Sequence, residues 1–529
     1  MDIKEIILQG KTSLGIEFGS TRIKAVLIDE NASVLAVGSH TWENRFENGV
    51  WTYSQEDILT GLRACYKDLK AEIKWKYGVE LTKVGALGIS AMMHGYIALD
   101  ENDNLLVPFR TWRNTITEQA SEILTEEFKF NIPQRWSVSH LYQAILNKEE
   151  HLPRLKKLST LAVYIHYLLT GEFVAGVGEA SGMFPIDSDT NDYDKAMLAK
   201  FDSLIEKAGY SFKAAQLLPK VLVAGEKAGT LTEEGAKLID EDGELVSGIP
   251  MCAPEGDAGT GMVATNSIKE KTGNVSAGTS IFSMVVLEKA MQGYYKEIDM
   301  VTTPAGKPVA MVHCNNCTGD IDAWVKLFSE LFETAGAPIE KSKLYDMLYF
   351  KALEGDKDCG GLVSFNYISG EPVSDLSEGR PLFARSVNSK FDLANFMRNE
   401  LYSAFAALKN GNDILLKKEN VQLDSISGHG GIYKTEGVGQ KITAAALNTR
   451  VTVTETAGEG GPWGMAILVG YMQNKCKGET LDSYLENRVF KNAKSTAVDP
   501  DPDDVKGFEE YMKLYNKALA VEKTAVENI

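Results

Sequence analysis

The chain has 529 residues, of which 44% are hydrophobic and 24% are charged. This length exceeds one ordinary hydrophobic core and favours two or three domains, and the composition is that of a globular protein. There are 55 Lys and Arg residues against 73 Asp and Glu residues, a formal net charge of −18. No stretch gathers basic residues into a stripe with aromatic residues, so the sequence argues against nucleic acid as a partner.

The cysteines and the apolar segments indicate the compartment. Six cysteines without a regular spacing do not form a disulfide framework. The N-terminal residues lack a basic start followed by a long apolar stretch, and no window approaches about 18 uninterrupted apolar residues. We therefore expect a cytoplasmic protein with reduced thiols and no membrane association.

The first predicted elements are a β-hairpin, a helix and a strand. Residues 13–29 contain two apolar runs around the small-residue turn that holds Ser20 and Thr21, which predicts the hairpin. Residues 51–78 place Ser54 in a capping position before apolar residues spaced by three and four, which predicts an amphipathic helix. Residues 84–89 predict a buried strand. This alternation favours an α/β architecture.

An internal repeat is the main organisational signal. Gly15, Thr21 and Ile23 of the first hairpin match Gly273, Thr279 and Ile281, all at the same offset. The second copy again has two strand-like runs around a small-residue turn. Three identities could arise by chance, but their place near the start of each half favours a duplicated domain. We predict one domain at 1–265 and a second at 266–529.

The remainder of the second half contains one more strand and a terminal helix. Residues 421–427 predict a strand that runs into Gly428-His429-Gly430-Gly431. Residues 509–527 predict a charged amphipathic helix, and residues 499–504 predict an acidic, proline-broken connector before it.

Three small-residue segments could bind a nucleotide. Turns of Gly, Ser and Thr expose backbone N–H groups that can hold phosphate oxygens without a lysine. Each turn alone is more often only a turn, whereas two turns facing each other could hold one triphosphate. Glycines after a strand would let adenine and ribose approach the backbone. The candidate nucleotide-binding residues are Ser20, Thr21, Gly278, Thr279, Ser280, Gly428, Gly430 and Gly431.

These segments resemble the phosphate-1, phosphate-2 and adenosine motifs of the FGGY family of carbohydrate kinases, and the resemblance extends over nearly the whole chain. Met93-His94-Gly95, residues 108–112 and residues 179–183 are similar to motifs of its xylulose kinase branch. Residues 361–371 resemble a further family segment. The resemblance implies two duplicated actin-like ribonuclease-H-fold domains, an active site in an interdomain cleft, and ATP with Mg²⁺ as cofactors.

The resemblance assigns the catalytic base and the metal ligands to two acidic residues. Asp257, in Gly256-Asp257-Ala258-Gly259, matches the family's catalytic base, and it is also a candidate metal ligand. A lone Asp beside glycines is otherwise a turn or capping residue. Glu17 stands where the family has an Asp that holds Mg²⁺ through water, and its carboxylate reaches one methylene further. The alternative for Glu17 is an ion pair with Lys24.

The sugar-binding candidates are Met93, His94, Trp112, Arg113 and Asp257, by the same resemblance. Met92, Arg113 and Ala258 replace polar residues of the xylulose kinase branch, and such changes can alter discrimination strongly. The expected reaction is phosphorylation of a small ketose, first D-xylulose to D-xylulose 5-phosphate. The alternatives are another ketose, a polyol or a sugar acid (ribulose, gluconate), or a sugar sensor that binds nucleotide with little turnover.

Two further features favour a structural interpretation. Cys314 and Cys317 have metal-site spacing, but no second cysteine pair accompanies them. The run of residues 326–333, together with Trp324, has an apolar helix face that we expect in the core or at a lobe interface. The expected partner is a small-molecule sugar, and a homodimer is left open.

Overall fold

The computed structural model describes residues 2–455 and 460–529. The chain divides into two units, and each is described by itself. Unit 1 comprises Met1–Ile268, Met300–Val309 and Glu459–Asn492. Unit 2 comprises Lys269–Asp299, Ala310–Gly458 and Ala493–Ile529.

Twenty-four strands are found in the described residues. They are β1 Ser13–Phe18, β2 Arg22–Ile28, β3 Val34–Thr41, β4 Arg45–Glu47, β5 Val50–Thr52, β6 Ala86–Ala91, β7 Ile97–Leu99, β8 Lys157–Ser159, β9 Val174–Gly176, β10 Ile186–Asp187, β11 Asp192–Tyr193, β12 Lys220–Leu222, β13 Lys227–Thr230, β14 Pro250–Cys252, β15 Glu255–Gly256, β16 Thr272–Ala277, β17 Ile281–Val286, β18 Asp299–Thr302, β19 Pro308–Cys314, β20 Leu362–Phe365, β21 Leu382–Arg385, β22 Ser425–Gly430, β23 Arg450–Thr454 and β24 Ser495–Val498.

The α-helices of the described residues number seventeen. They are α1 Ile3–Leu8, α2 Gln55–Tyr77, α3 Glu118–Phe128, α4 Ser137–Asn147, α5 Leu161–Thr170, α6 Val177–Ser181, α7 Lys195–Lys207, α8 Ala214–Leu217, α9 Glu233–Ile239, α10 Asp257–Ala264, α11 Gly319–Thr334, α12 Lys341–Ala352, α13 Leu393–Asp413, α14 Val438–Leu447, α15 Gly460–Asn474, α16 Leu481–Tyr484 and α17 Pro502–Asn528. Among the described helices, none combines the length and the apolar character needed to cross a membrane.

The main sheet of unit 1 has the strand order β13-β14-β6-β1-β2-β3, with β15 also paired to β6. The hairpin of β1 and β2 is antiparallel, whereas β6 runs parallel to β1. Strand β6 is buried at every residue, as expected for a strand with neighbours on both edges and helices against it. Helices α2 and α5 contribute to the same apolar core as β1 and β2.

The main sheet of unit 2 has the order β18-β19-β17-β16-β22-β23-β24. Its hairpin, β16 and β17, is antiparallel, and β22 runs parallel to β16. The strand orders β3-β2-β1-β6-β14 and β19-β17-β16-β22-β23 therefore match position by position. The predicted duplication is confirmed, and both predicted hairpins are present.

Helix α2 illustrates how local sequence sets the element boundaries. The Ser54 side chain accepts a hydrogen bond from the backbone N–H of Asp57, and the Asp57 side chain accepts one from the Ser54 N–H. Gly78 ends the helix in the left-handed conformation with φ 67°, which glycine adopts without steric cost. The predicted helix is confirmed at both ends.

Three other expectations need correction. The strand predicted at 421–427 begins at Ser425 and continues through Gly430, because its ladder with β16 includes the glycine segment. The terminal helix begins at Pro502, since the Asp501 side chain caps it, so the predicted connector contains its first turn. The apolar face of α11, expected in the core or at a lobe interface, is not core throughout: Leu327 and Leu331 are 52% and 63% exposed.

We predict that Ser54→Ala lowers the free energy of unfolding by about 0.5–2 kcal/mol, the usual cost of losing an N-cap side chain. Urea unfolding followed by circular dichroism measures it. Ser203→Ala is the matched control, because Ser203 lies inside the exposed part of α7 and caps no helix end. Equal stability of the two variants would contradict the capping role.

Candidate active site

The ends of three neighbouring strands assemble the candidate catalytic site of unit 1. Ala91 at the end of β6 pairs with Phe18 of β1 on one edge and with Gly256 of β15 on the other. Residues next to Phe18, Ala91 and Gly256 in sequence are therefore close to one another in space. The arrangement brings together Glu17 and Asp257, two residues singled out in the sequence.

Asp257 is the first residue of α10 and follows β15 directly. Its Oδ1 accepts a hydrogen bond of 3.1 Å from the backbone N–H of Met93. The residue keeps contact with solvent, but the protein atoms around the carboxyl desolvate it and raise its pKa from 3.8 to about 6. A carboxyl in this position is accessible to a small molecule and is a stronger base than an ordinary aspartate.

Glu17 is half-buried, and its Oε2 is a buried atom without a hydrogen-bond partner. Desolvation raises the pKa of Glu17 to about 8, and the nearby charge of Asp257 adds to the rise. Lys24 lies opposite Glu17 in the β1–β2 ladder and lowers this pKa. Among the described residues Lys24 and Glu17 form no ion pair, and the effect of Lys24 on Glu17 is that of a nearby charge.

A cation would suit this pair of carboxyls. An orphaned carboxylate oxygen next to a second carboxyl is a site where a positive charge lowers the energy of both groups. Within residues 2–455 and 460–529, no group of three or more His, Cys, Asp or Glu side chains is placed to hold a metal ion. Two carboxyls without a full protein cage fit Mg²⁺, which commonly takes its other ligands from phosphates and water.

Met93 and His94 lie at the same strand end. The Met93 side chain packs against Gly256, where an added Cβ would come within 2.1 Å of its Cγ. His94 has φ 69°, and its Nδ1 lies 3.2 Å from the carbonyl oxygen of Gly182. Because a carbonyl oxygen only accepts, this bond requires the proton on Nδ1. Trp136 stacks on the imidazole at a centroid distance of 6.2 Å.

Two buried glutamates beside Asp257 had no role in the sequence-based prediction. Glu179 and Glu255 are 0% and 1% exposed, and burial raises the pKa of Glu179 well above 4.5 and that of Glu255 to about 8. Glu255 Oε2 accepts a 3.0 Å hydrogen bond from the backbone N–H of Glu179. Both Glu179 oxygens lack a partner. The sequence did contain a signal for both glutamates. Glu255 lies two residues before Asp257, and Glu179 belongs to the segment 179–183, which resembles a family motif.

The sequence-based prediction also missed α15, which comes from the last quarter of the chain but belongs to unit 1. An added Cβ at Gly461 would lie 1.6 Å from Oε2 of Glu17 and 3.0 Å from Oγ1 of Thr260. Only a glycine therefore fits between α15 and the carboxyl of Glu17. The run Gly460-Gly461-Pro462-Trp463-Gly464 was the available signal, because glycines at a helix start often mark a close approach.

Trp112 and Arg113 differ in their placement. The Trp112 indole Nε1 donates a 3.2 Å hydrogen bond to Oγ of Ser20, so a candidate sugar-binding residue contacts the turn that holds Ser20 and Thr21. The Arg113 guanidinium is exposed and lies over the ring of Trp51, 4.8 Å from its centroid. Thr21 is exposed at the tip of the turn.

Unit 2 brings its own nucleotide candidates to two adjacent strand ends. Ala277, just before the turn of Gly278, Thr279 and Ser280, pairs with Gly430. Gly430 has φ 108°, and an added Cβ would lie 2.3 Å from the Ala277 carbonyl oxygen, so a larger residue does not fit. At Gly431 an added Cβ would meet no atom within 4 Å. An accessible backbone surface thus follows β22, close to the second turn.

Cys314 and Cys317 have the structural role that was expected of them. Both are buried free thiols, and burial raises both pKa values. The backbone N–H of Cys317 donates a 2.9 Å hydrogen bond to the carbonyl of Thr279.

Comparison with known proteins identifies relatives over almost the entire chain. The models of the FGGY family of carbohydrate kinases match residues 12–264 with the N-terminal domain and residues 273–472 with the C-terminal domain. A xylulose kinase of Lactococcus lactis is 21% identical over 526 residues, covering 95% of each chain.

Solved structures share the fold. A xylulose kinase from Lactobacillus acidophilus has a TM-score of 0.77 at 16% identity, with 96% of this chain and 98% of that chain covered. A gluconate kinase from the same organism has a TM-score of 0.77 at 17% identity, with 97% and 99% covered.

We predict that Gly461→Ala lowers kinase activity at least tenfold, because the new methyl group must displace the Glu17 carboxyl. Gly261→Ala is the control, since Gly261 lies in α10 and an added Cβ there meets no atom within 4 Å. Sugar-dependent ADP release and the melting temperature are measured for both. Full activity of a folded Gly461→Ala variant would contradict the assigned place of Glu17.

Proposed function

Because the chain belongs to the FGGY family of carbohydrate kinases, we propose that it transfers the γ-phosphoryl group of ATP to a hydroxyl of a small ketose. D-xylulose, giving D-xylulose 5-phosphate, is the first candidate. The observation that carries the proposal is the Asp257 carboxyl: it is open to solvent, fixed by the Met93 N–H, and adjacent to Met93 and His94. We also propose a cytoplasmic location.

Asp257 acts as the general base in this proposal. Its carboxylate accepts the proton of the substrate hydroxyl as the hydroxyl oxygen forms a bond to the γ-phosphorus, and the bond from that phosphorus to the bridging oxygen of ADP breaks. The hydrogen bond from the Met93 N–H to Oδ1 fixes the orientation of the carboxyl. A pKa near 6 keeps the base ionised at neutral pH while raising its basicity.

Mg²⁺ is assigned to Glu17 and Asp257, and when bound it neutralises charge on the triphosphate. The unpartnered Oε2 of Glu17 supports this assignment. Gly461 leaves space at this oxygen that no other residue would leave. The side chain of Glu17 thus has the role of the shorter acid in the family motif.

Nucleotide binding is proposed for three small-residue segments. Ser20 and Thr21 of the first hairpin turn are proposed to bind phosphate through backbone N–H groups, as are the small residues of the second hairpin turn. The accessible backbone at Gly430 and Gly431 supports the assignment of adenosine there. The residues assigned to the nucleotide are Ser20, Thr21, Gly278, Thr279, Ser280, Gly428, Gly430 and Gly431.

The choice of sugar is the open part of the proposal. Relatives named xylulose kinase favour a ketopentose, whereas the exposed cation of Arg113 would also suit the carboxylate of a sugar acid such as gluconate. A different class, a sugar sensor with little turnover, is disfavoured by the intact environment of Asp257. ADP release measured over ketoses, polyols and aldonates separates these functions, and absence of release with every sugar would overturn the kinase proposal.

We predict that Asp257→Asn lowers kcat by about 10²–10⁴, the usual contribution of a positioned base, while ATP and sugar affinity by calorimetry change little. In the wild type, kcat/KM should fall as pH drops below about 6, because the pKa of Asp257 is raised to that value and only the ionised form accepts the proton. Asp189→Asn, at an exposed position, is the control. Near wild-type turnover of Asp257→Asn would remove Asp257 as the base.

We predict that Ala258→Asn and Arg113→Asn each shift the kcat/KM ratio of two sugars by more than about tenfold, or about 1.4 kcal/mol. Ala258 follows Asp257 in α10, and Arg113 neighbours Trp112, so both changes alter groups near the proposed sugar. Ala199→Asn, on an exposed part of α7, is the control. If every sugar changes by one common factor, these positions do not read the substrate.

A further inference from the structure

Three aromatic side chains of unit 1 hold the turn that contains Ser20. Trp42 Nε1 donates a 2.7 Å hydrogen bond to the carbonyl oxygen of Gly19. Tyr53 Oη donates a 2.5 Å hydrogen bond to the carbonyl oxygen of Ser20. Trp112 Nε1 donates to Ser20 Oγ at 3.2 Å. We call Trp42, Tyr53 and Trp112 the aromatic brace.

The bonds to the two carbonyls fix the direction of two N–H groups. A peptide unit is planar and trans, so its C=O and the following N–H point in opposite directions. The bond from Trp42 to the Gly19 carbonyl therefore orients the N–H of Ser20, and the bond from Tyr53 to the Ser20 carbonyl orients the N–H of Thr21. Both N–H groups are proposed phosphate donors, and neither could turn away without breaking a bond to the brace.

Trp42 and Tyr53 pack tightly against each other. The rings of Trp42 and Tyr53 stack with a centroid distance of 4.0 Å and an interplanar angle of 22°. The two residues are 6% and 2% exposed, and the backbone N–H of Trp42 donates to the carbonyl of Thr21 at 3.2 Å. Side chains packed in this way hold their donors in one place at little entropic cost during binding.

Trp112 adds a link between the two substrates. An indole N–H only donates, so it occupies an acceptor position of Ser20 Oγ and leaves the hydroxyl hydrogen to donate elsewhere. Trp112 is also a proposed sugar-binding residue. A sugar that packs against its ring would therefore restrict the indole, and through it the Ser20 hydroxyl.

We propose that Trp42, Tyr53 and Trp112 are positioning residues that orient the phosphate donors of the Ser20 turn, and that Trp112 couples sugar binding to the nucleotide through Ser20. This inference rests on the proposed function. If these aromatic residues orient the phosphate donors, removing their hydrogen bonds lowers kcat/KM for ATP, an effect that a role in packing alone would not produce.

The first experiment compares Tyr53→Phe with Tyr66→Phe. Tyr66 is the matched control, because it is buried in the same unit and its hydroxyl donates to a backbone carbonyl, that of Leu81, at 3.2 Å. Each change removes one hydroxyl and keeps the ring. We expect Tyr53→Phe to lower kcat/KM for ATP by about three- to tenfold with KM for the sugar unchanged, and Tyr66→Phe to leave both parameters unchanged. Equal kinetic effects of the two variants would overturn the positioning role.

The second experiment is a double-mutant cycle of Trp112→Phe and Ser20→Ala, measured at saturating sugar. Phenylalanine keeps an aromatic face and lacks the N–H donor. If Trp112 acts through Ser20, Trp112→Phe lowers kcat/KM for ATP by about three- to tenfold in the wild type and has almost no further effect in Ser20→Ala. The same factor in both backgrounds would show that the residues act independently and would overturn the link.

The controls separate this inference from the proposed function. If none of the sugars in the panel caused the wild-type protein to release ADP, the kinase proposal itself would fail. The inference about the aromatic brace would then fail with it. If wild type is active and the cycle is additive, only the inference fails. Melting temperatures of all variants are measured with the kinetics, so that a loss of activity through unfolding is recognised.

Discussion

The pairing of β6 with a strand on each edge is the constraint on which the site of unit 1 depends. One edge carries β1 and the other carries β14 and β15, so Ala91 lies between Phe18 and Gly256. Strands β1, β6 and β15 run parallel at this point, and their carboxyl ends meet. Residues that are far apart in sequence, such as Glu17 and Asp257, become neighbours for this reason alone. No side-chain interaction is needed to bring them together.

This convergence has an electrostatic cost. Glu17, Glu179, Glu255 and Asp257 all have raised pKa values, with desolvation the largest cause in each. Repulsion between carboxyls contributes at Glu17 and Glu179, because the charge of Asp257 raises the pKa of both. Burial raises the pKa of Glu179 well above its usual range and the pKa values of Glu17 and Glu255 to about 8, whereas the pKa of the more exposed Asp257 rises only to about 6. The environment therefore leaves the negative charge preferentially on the group that a substrate can reach.

The sequence predicts the hairpins, helix α2 and the duplication, because these depend on local periodicity and turn chemistry. It also indicates Asp257 and Glu17, through resemblance. It does not predict Glu179, Glu255 or Gly461, whose importance comes from contacts between segments distant in the chain. Of the two places expected for the face of Leu327 and Leu331, the core is wrong, since periodicity shows that a helix has an apolar face and not what covers it. The metal, nucleotide and sugar assignments stay predictions.

The two hairpin turns show how a duplicated element can keep its geometry after its sequence has diverged. Ser20 corresponds to Gly278, and Thr21 to Thr279, by the matching strand order. In unit 1, the carbonyls of Ser20 and Thr21 accept from Tyr53 Oη and the Trp42 N–H. In unit 2, the carbonyls of Gly278 and Thr279 accept from the N–H groups of Thr318 and Cys317.

The same two peptide units are thus held in both units of the protein. In unit 1 the donors are an aromatic hydroxyl and a strand-end amide, and in unit 2 they are two loop amides. A carbonyl accepts from any well-placed donor, so selection on the orientation of the turn does not preserve the identity of the donor. The donors, which lie outside both hairpins, therefore need not be alike in the two units. The hydrogen bond to the Thr279 carbonyl gives Cys317 a role through its backbone, for which its thiol chemistry is irrelevant.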